Sequence, residues 1–301
     1  MKFKAYYALS AILLFAQCNG WQQNSNKAVS EQTVQTPRTD TQKAQAAPEK
    51  VERPDIDYRA ITAKDSIRHA LKYFSAGQLA VLFAVNRVDS AHIAALDTMI
   101  APGDMGLDIL QYSPYPSYVP ALKDVHKILF FSYPAQYFAA YENGRLVRSG
   151  PTSMGRKKDT TATGLFYCNW KAEETKSTFN DEWDLKWNFN IQNKEGVGFH
   201  QYALPGYPAS HSCLRLLEAD AKYLYDWADQ WVIKGTDNIQ VYGTPVVVFG
   251  SYPFGGRKPW RQLLTDPHAL DITPEAIETL VQPSLSDIMN KQQKRNAGTG
   301  K

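Results

Sequence analysis

The sequence predicts a mainly β protein, a sandwich or barrel of short strands with one helix, preceded by a small α-helical module. Three observations carry that expectation. Beyond residue 126, β-prone runs alternate with turn-forming residues, at 128–131, 136–142, 145–149, 164–170, 189–191, 198–201, 239–241 and 245–249. One helical stripe interrupts them, with Ala221, Leu224, Tyr225, Ala228 and Trp231 on a shared face and Glu218 and Asp220 near its start. Upstream, residues 61–102 instead repeat apolar residues at helical spacing.

The elements follow in chain order. Lys2 and Lys4 precede an apolar run over 5–16, which reads as an export signal at 1–17 and is too short to span a membrane as a helix. Cys18 comes next, in F-A-Q-C. A cysteine there, ahead of a polar tract, suggests bacterial lipoprotein processing, with cleavage before Cys18 and lipidation of Cys18. Gln17 stands where a small residue is usual. Acyl chains would anchor the protein to a membrane it does not span, on the periplasmic side of the cell envelope. Residues 18–55 are rich in Gln, Asn, Ser, Thr, Ala and Lys. Such a tract buries too little apolar surface to offset its ordering entropy, and a disordered tether is expected.

Residues 56–118 are expected to form the helical module. Ile67, Leu71 and Phe74 mark one helix, with Ser66 as its expected cap, and 79–85 marks a second apolar stretch. Ile93, Leu96 and Ile100 follow, closed by Pro102 and Gly103. The string A-V-N-R-V-D…L-D-T-M-I-A-P resembles the second half of a degenerate LysM module, a small wall-glycan binder, but lacks the usual opening Gly-Asp. A helical packing or spacer domain is the simpler reading. His69 and His92 read as surface or packing histidines. Residues 112–120, with three prolines, read as an extended linker.

The β domain is expected over 119–255, with Asn143-Gly144 as a two-residue hairpin turn. Residues 256–301 form a C-terminal extension, a short helix near 274–281 and then a basic, frayed tail. The aromatic segment 183–189 reads either as a lid or as outer-face packing of a sheet. His126 and His268 show no partner in the sequence.

The string G-F-H-Q-Y-A-L-P-G-Y-P-A-S-H-S-C-L-R-L at 198–216 carries the chemistry, bringing His200, His211 and Cys213 close together. A thiol becomes a strong nucleophile when a base or a positive charge helps it ionise, and imidazole is the usual partner. Cys213 also lies in a turn-rich approach to a helix, where backbone N–H groups would favour thiolate and hold a developing oxyanion. Bare Cys and His leave two other readings open: an inert buried cysteine beside unrelated histidines, and an incomplete zinc site with no further ligand at finger spacing.

The same string resembles the L,D-transpeptidases of bacterial cell walls, the YkuD-type family. Their signature is a histidine, a loop, then S-H-G-C with Arg-Leu behind it. Here S-H-S-C-L-R-L stands at 210–216, T-A-T-G at 161–164 resembles the family's T-P-T-G, and G-T-P-V at 243–246 resembles its closing strand. The resemblance implies a YkuD-like sandwich or barrel and a cysteine-dependent transpeptidase that needs no cofactor or metal. It implies Cys213 as nucleophile and His200 as general base, oriented by the backbone carbonyl of Gln201. His211 would shape the pocket, and the N–H groups of Ser212 and Cys213 would form the oxyanion hole. Ser210 and Arg215 would support the loop or meet substrate; a salt bridge under the loop is an equally simple role for Arg215. Ser212 departs from the family's glycine, which matters if the backbone there has positive φ.

The implied activity is attack on stem tetrapeptides of peptidoglycan, release of D-alanine and formation of L,D crosslinks. Water as acceptor would make the same acyl-enzyme a carboxypeptidase or hydrolase, and a protein amine would make it an attachment enzyme. A non-catalytic wall-binding lipoprotein is the third class. The charge balance excludes a broad nucleic-acid grip: 33 Lys and Arg stand against 30 Asp and Glu. Four of those cations (Lys291, Lys294, Arg295 and Lys301) lie in the last eleven residues, so the body of the mature chain is slightly acidic. Three cysteines are too few for a disulfide scaffold. With Cys18 assigned to lipid, Cys168 reads as a core residue, and Cys168 and Cys213 are expected as unpaired thiols.

Overall fold

The structure, a computed structural model, describes residues 54–176, 184–236 and 238–299. The expected signal, Cys18 and nearly all of the tether lie outside the described residues, as does Trp183. No helix among the described residues is long and apolar enough to cross a membrane.

The N-terminal module contains more than helices. Its elements are β1 (Tyr58–Thr62), α1 (Lys64–Leu71), α2 (Ala76–Asn86) and β2 (Thr98–Pro102). β1 and β2 pair antiparallel, Tyr58 opposite Pro102. α1 starts before Ser66, with Ala63 in the capping position and no side-chain cap. α2 starts where Ser75 and Gln78 cap each other reciprocally. Ile67, Leu82, Val88 and Met99 are fully buried in the module's core. Residues 112–120 are not an extended linker. Tyr112, Tyr115 and Val119 are buried, and Tyr118 bridges to Arg145.

The domain that follows is a curled nine-stranded sheet. Its strands are β3 (Lys127–Ser132), β4 (Tyr137–Glu142), β5 (Arg145–Ser153), β6 (Gly164–Tyr167), β7 (Lys171–Lys176), β8 (Asp184–Gln192), β9 (Val197–Gln201), β10 (Leu214–Leu216) and β13 (Pro245–Phe249). β11 (Val232–Lys234) and β12 (Asn238–Val241) form a separate exposed ribbon. The spatial order is β6-β13-β3-β4-β5-β10-β9-β8-β7. The pairs β13–β3 and β10–β9 are parallel and the rest antiparallel. Asn143 and Gly144 both have positive φ, as the expected hairpin turn requires.

Alternation of side chains along β3, β4 and β13 feeds two apolar layers. Leu129, Phe131, Phe138 and Val248 pack inward with Ala221 and Leu224 of α3 (Glu218–Trp227). Ile128, Phe130, Tyr141 and Val247 pack outward against Ile277 and Val281 of α4 (Pro274–Val281) and Ile288 of α5 (Leu285–Thr299). The expected frayed tail is therefore a docked helix. Arg295 donates to the carbonyls of Tyr242 and Gln230, and the Lys291 ammonium lies over the Tyr167 and Tyr242 rings. α3 ends at Trp227, so Ala228 and Trp231 lie beyond it. Phe189 is buried in the inner core and Trp187 packs against Tyr225, so neither acts as a lid.

Candidate active site

β9 and β10 bring the predicted residues together. Their parallel register sets His200 opposite Arg215 and Phe199 opposite Leu214. Phe199, Leu214 and Leu216 enter the inner core, so the alternating residues His200 and Arg215 share the other face, with Cys213 one residue ahead of β10. A strand separates Cys213 from the helix. The expected help from a helix N-terminus is therefore absent, since α3 starts five residues later, at Glu218.

His200 is 3% exposed, and burial pushes its pKa down to about 4. At neutral pH it is an uncharged base. Its Nδ1 lies 2.9 Å from the Gln201 carbonyl oxygen. A carbonyl only accepts, so Nδ1 carries the proton and Nε2 keeps a free lone pair. Tyr202 packs edge-on against the imidazole. Burial raises the Cys213 thiol, while the Gly198 backbone and Arg215 pull the other way. The resting pair is thus thiol and neutral imidazole, not thiolate and imidazolium. Cys168 is also a free thiol, fully buried in the core and pushed further up by burial.

A second loop, one that sequence reasoning did not connect to the site, braces residues 210–213. Ser210 donates its hydroxyl to the Cys213 carbonyl, its N–H bonds to Met154 O at 3.1 Å, and its own carbonyl accepts from Arg156 N at 3.0 Å. Thr161 Oγ1 donates to Ser212 O at 2.8 Å. Ser212 has φ of +84°, and its hydroxyl reaches Asp159 O at 3.4 Å. Among the described residues neither the Ser212 nor the Cys213 backbone N–H has an acceptor. Arg156 donates to Asp159 at 2.6 Å and approaches His211 Nδ1 at 3.3 Å. The same nitrogen lies 3.5 Å from Asp159 Oδ2, so His211 faces a donor and an acceptor on one side. Burial and then Arg156 lower the His211 pKa. T-A-T-G was the visible signal for this loop, but Arg156 and Asp159 have no pattern that marks them.

Among the described residues Arg215 makes no salt bridge under the loop. Its guanidinium stacks on the Tyr202 ring at 4.5 Å and reaches Ala203 O at 3.4 Å, and no carboxylate among the described residues pairs with it. His268 does have partners, Asp271 at 2.7 Å and Asp55 at 2.9 Å, and His92 pairs with Asp89 at 2.6 Å. Among the described residues no cluster of three or more His, Cys, Asp or Glu side chains is placed to hold a metal ion.

Fold and site together give a curled β domain with a thiol and a neutral imidazole at neighbouring strands. Residues 126–248 match the YkuD family model, the L,D-transpeptidase catalytic domain. Solved structures it resembles include an L,D-transpeptidase from Stackebrandtia nassauensis, 23% identical, covering 42% of this chain and 57% of that one with a TM-score of 0.35. Another, from Xylanimonas cellulosilytica, is 24% identical over 41% of this chain and 60% of that one, with a TM-score of 0.34. A third, from Mycobacterium tuberculosis, is 21% identical over 42% and 58%, with a TM-score of 0.32. The chain thus spans less than two thirds of each of these structures, and likeness at this level carries no functional argument. No curated protein matches the chain.

Proposed function

We propose that the domain is a peptidoglycan L,D-transpeptidase acting through a Cys213 acyl-enzyme. One observation carries this reading: buried, neutral His200, its Nδ1–H held by the Gln201 carbonyl, lies on the strand beside the one that Cys213 leads into. The family match to residues 126–248 supports the substrate class.

In this mechanism the Cys213 sulfur attacks the carbonyl carbon between the L-centre of a diamino acid and the terminal D-alanine. His200 Nε2 takes the thiol proton as the C–S bond forms, because the resting thiol is not ionised. The carbonyl oxygen gains charge beside the N–H groups of Ser212 and Cys213. The C–N bond then breaks, His200 returns the proton to the departing D-alanine amine, and a thioester remains. A side-chain amine of a second stem attacks that thioester, gives its proton to His200, and the released thiolate takes it up. Arg215, which pairs with no carboxylate among the described residues, receives one from the peptide, and His211 holds the pocket wall with Arg156.

The test is digestion of tetrapeptide-rich muropeptides with products read by mass. Crosslinked dimers support transpeptidation. Tripeptides alone would mean that water is the acceptor, and no product from folded protein would leave the wall-binding lipoprotein reading. A carbapenem is expected to add covalently to the wild type and not to Cys213→Ala, whose acyl transfer falls at least ~10³-fold. Lipidation of Cys18 and a tether over 18–55 would set the domain off a membrane surface in the periplasm. Fatty-acid labelling that is lost in Cys18→Ala tests this.

A further inference from the structure

Residues 202–209 join Gln201 to Ser210 and so connect the strand of the base to the loop of the nucleophile. Their ends are fastened within the β domain. Tyr202 N bonds to Leu216 O at 3.1 Å, Ser153 Oγ donates to Tyr207 O at 2.8 Å, and Ala209 N bonds to Ser153 Oγ at 3.2 Å. Pro205 and Pro208 have no N–H, so the middle cannot build a ladder of its own.

What holds the middle comes from the N-terminal module. Leu204 N–H donates to Asp89 Oδ2 at 2.8 Å, and Asp89 N–H donates to Leu204 O at 3.1 Å. Val88 and Pro205 form an antiparallel bridge, and both Val88 and Leu204 are fully buried. Gly206 has φ of +79°, and a Cβ there would lie 2.9 Å from Val88 Cγ1. Only glycine sits this close to the module. The other carboxylate oxygen of Asp89 is 2.6 Å from His92 Nδ1 and 3.0 Å from His92 N, which stops the group from turning. The turn itself is anchored by Arg87. Its buried guanidinium donates to Ala135 O at 2.9 Å, between β3 and β4, and lies over the Tyr137 and Trp260 rings.

We propose that Asp89 is a positioning residue for the donor peptide: it seats Leu204, and through Leu204 it sets Ala203 and Tyr202, the two groups that hold the Arg215 guanidinium. The N-terminal module then forms the back wall of the site, not a spacer. This rests on the reading of Arg215 as the receiver of a peptide carboxylate. Loss of the Asp89 carboxylate loosens the middle of the segment and leaves its fastened ends, hence His200 and Cys213, in place. The effect therefore falls on binding.

The test compares Asp89→Ala, Asp89→Asn and, as a control in the module's core, Ile67→Val. In Asp89→Ala, KM for a tetrapeptide is expected to rise about tenfold with kcat within about twofold. The rate of Cys213 alkylation by iodoacetamide, which needs no peptide pocket, stays within about twofold. Asp89→Asn keeps an acceptor for Leu204 N–H and returns KM to within about threefold of wild type. Ile67→Val leaves KM unchanged. Amide exchange at Leu204 accelerates in Asp89→Ala only, by about a hundredfold. Unchanged KM in folded Asp89→Ala overturns the proposal, and so does a parallel fall in kcat and alkylation rate. If the wild type releases no D-alanine, the functional reading fails on its own. Leu204 exchange then decides the positioning role, and unaltered exchange in Asp89→Ala overturns it.

Discussion

The two halves of the curled sheet differ in how many apolar faces they carry. β13, β3 and β4 are apolar on both, with α3 on the inner side and α4 and α5 on the outer. β10 and β9 are apolar on one, and their other face carries His200, Arg215 and the approach to Cys213. Stability is concentrated where both faces exclude water, since hydrophobic stabilisation scales with buried apolar area. The proposed chemistry is placed where one face is released from packing and can hold an imidazole, a cation and a thiol.

Truncating one side chain in each half is expected to give the largest contrast. Phe130 is fully buried in the outer layer, edge-on to Tyr141. Phe130→Ala is expected to cost about 3–5 kcal/mol in urea unfolding, from lost transfer energy and the cavity left behind. Lys186→Ala, at an exposed position of β8, should stay within about 0.5 kcal/mol. A cost below about 1 kcal/mol for Phe130→Ala would mean that α4 and α5 lie on the sheet without securing it.

The next effect comes from the site half, where the His200 imidazole is buried with no charge partner among the described residues. His200 has a folded pKa of about 4 against 6.5 when unperturbed. Between those values the unfolded chain binds a proton that the folded chain does not. Stability therefore falls as pH drops below about 6.5, and this loss levels off below about 4. Its ceiling is on the order of 3 kcal/mol. Urea midpoints measured from pH 7 to pH 4 should fall more steeply for wild type than for His200→Gln. Equal slopes would show that the imidazole is solvated.

Legibility in the sequence followed the same division. The double-sided strands announced themselves, because I-L-F-F at 128–131 and V-V-V at 246–248 have few other readings. β7 did not, since K-A-E-E-T-K carries no apolar alternation and forms only by pairing with β8. β1 and β2 were hidden for a similar reason: they are short and gain their structure from each other across 35 intervening residues. At the proposed site, S-H-S-C and the distant His200 stood out because the proposed roles of nucleophile and base draw on few residue types. The bracing groups Arg156, Asp159 and Asp89 were not. Each acts on a backbone atom or a neighbour brought close only by the fold, and an isolated Asp or Arg in a loop carries no period.

The smallest effect concerns Ser212, where the site half holds a strained backbone. Its φ of +84° is a conformation glycine adopts freely and serine adopts at a cost of about 1–3 kcal/mol. Thr161, donating to the Ser212 carbonyl, and the Ser212 hydroxyl bond to Asp159 O keep the residue there. Ser212→Gly relieves the strain, but it loses the weak hydroxyl bond and adds chain entropy to the unfolded state. The net gain expected in urea unfolding is about 1 kcal/mol. The backbone N–H groups of residues 212 and 213 keep their direction, so kcat for tetrapeptide cleavage should change by less than about threefold. A tenfold rise in kcat would instead show that the serine had been tilting the amides away from the developing oxyanion, and that strain in this half acts on the chemistry as well as on the fold.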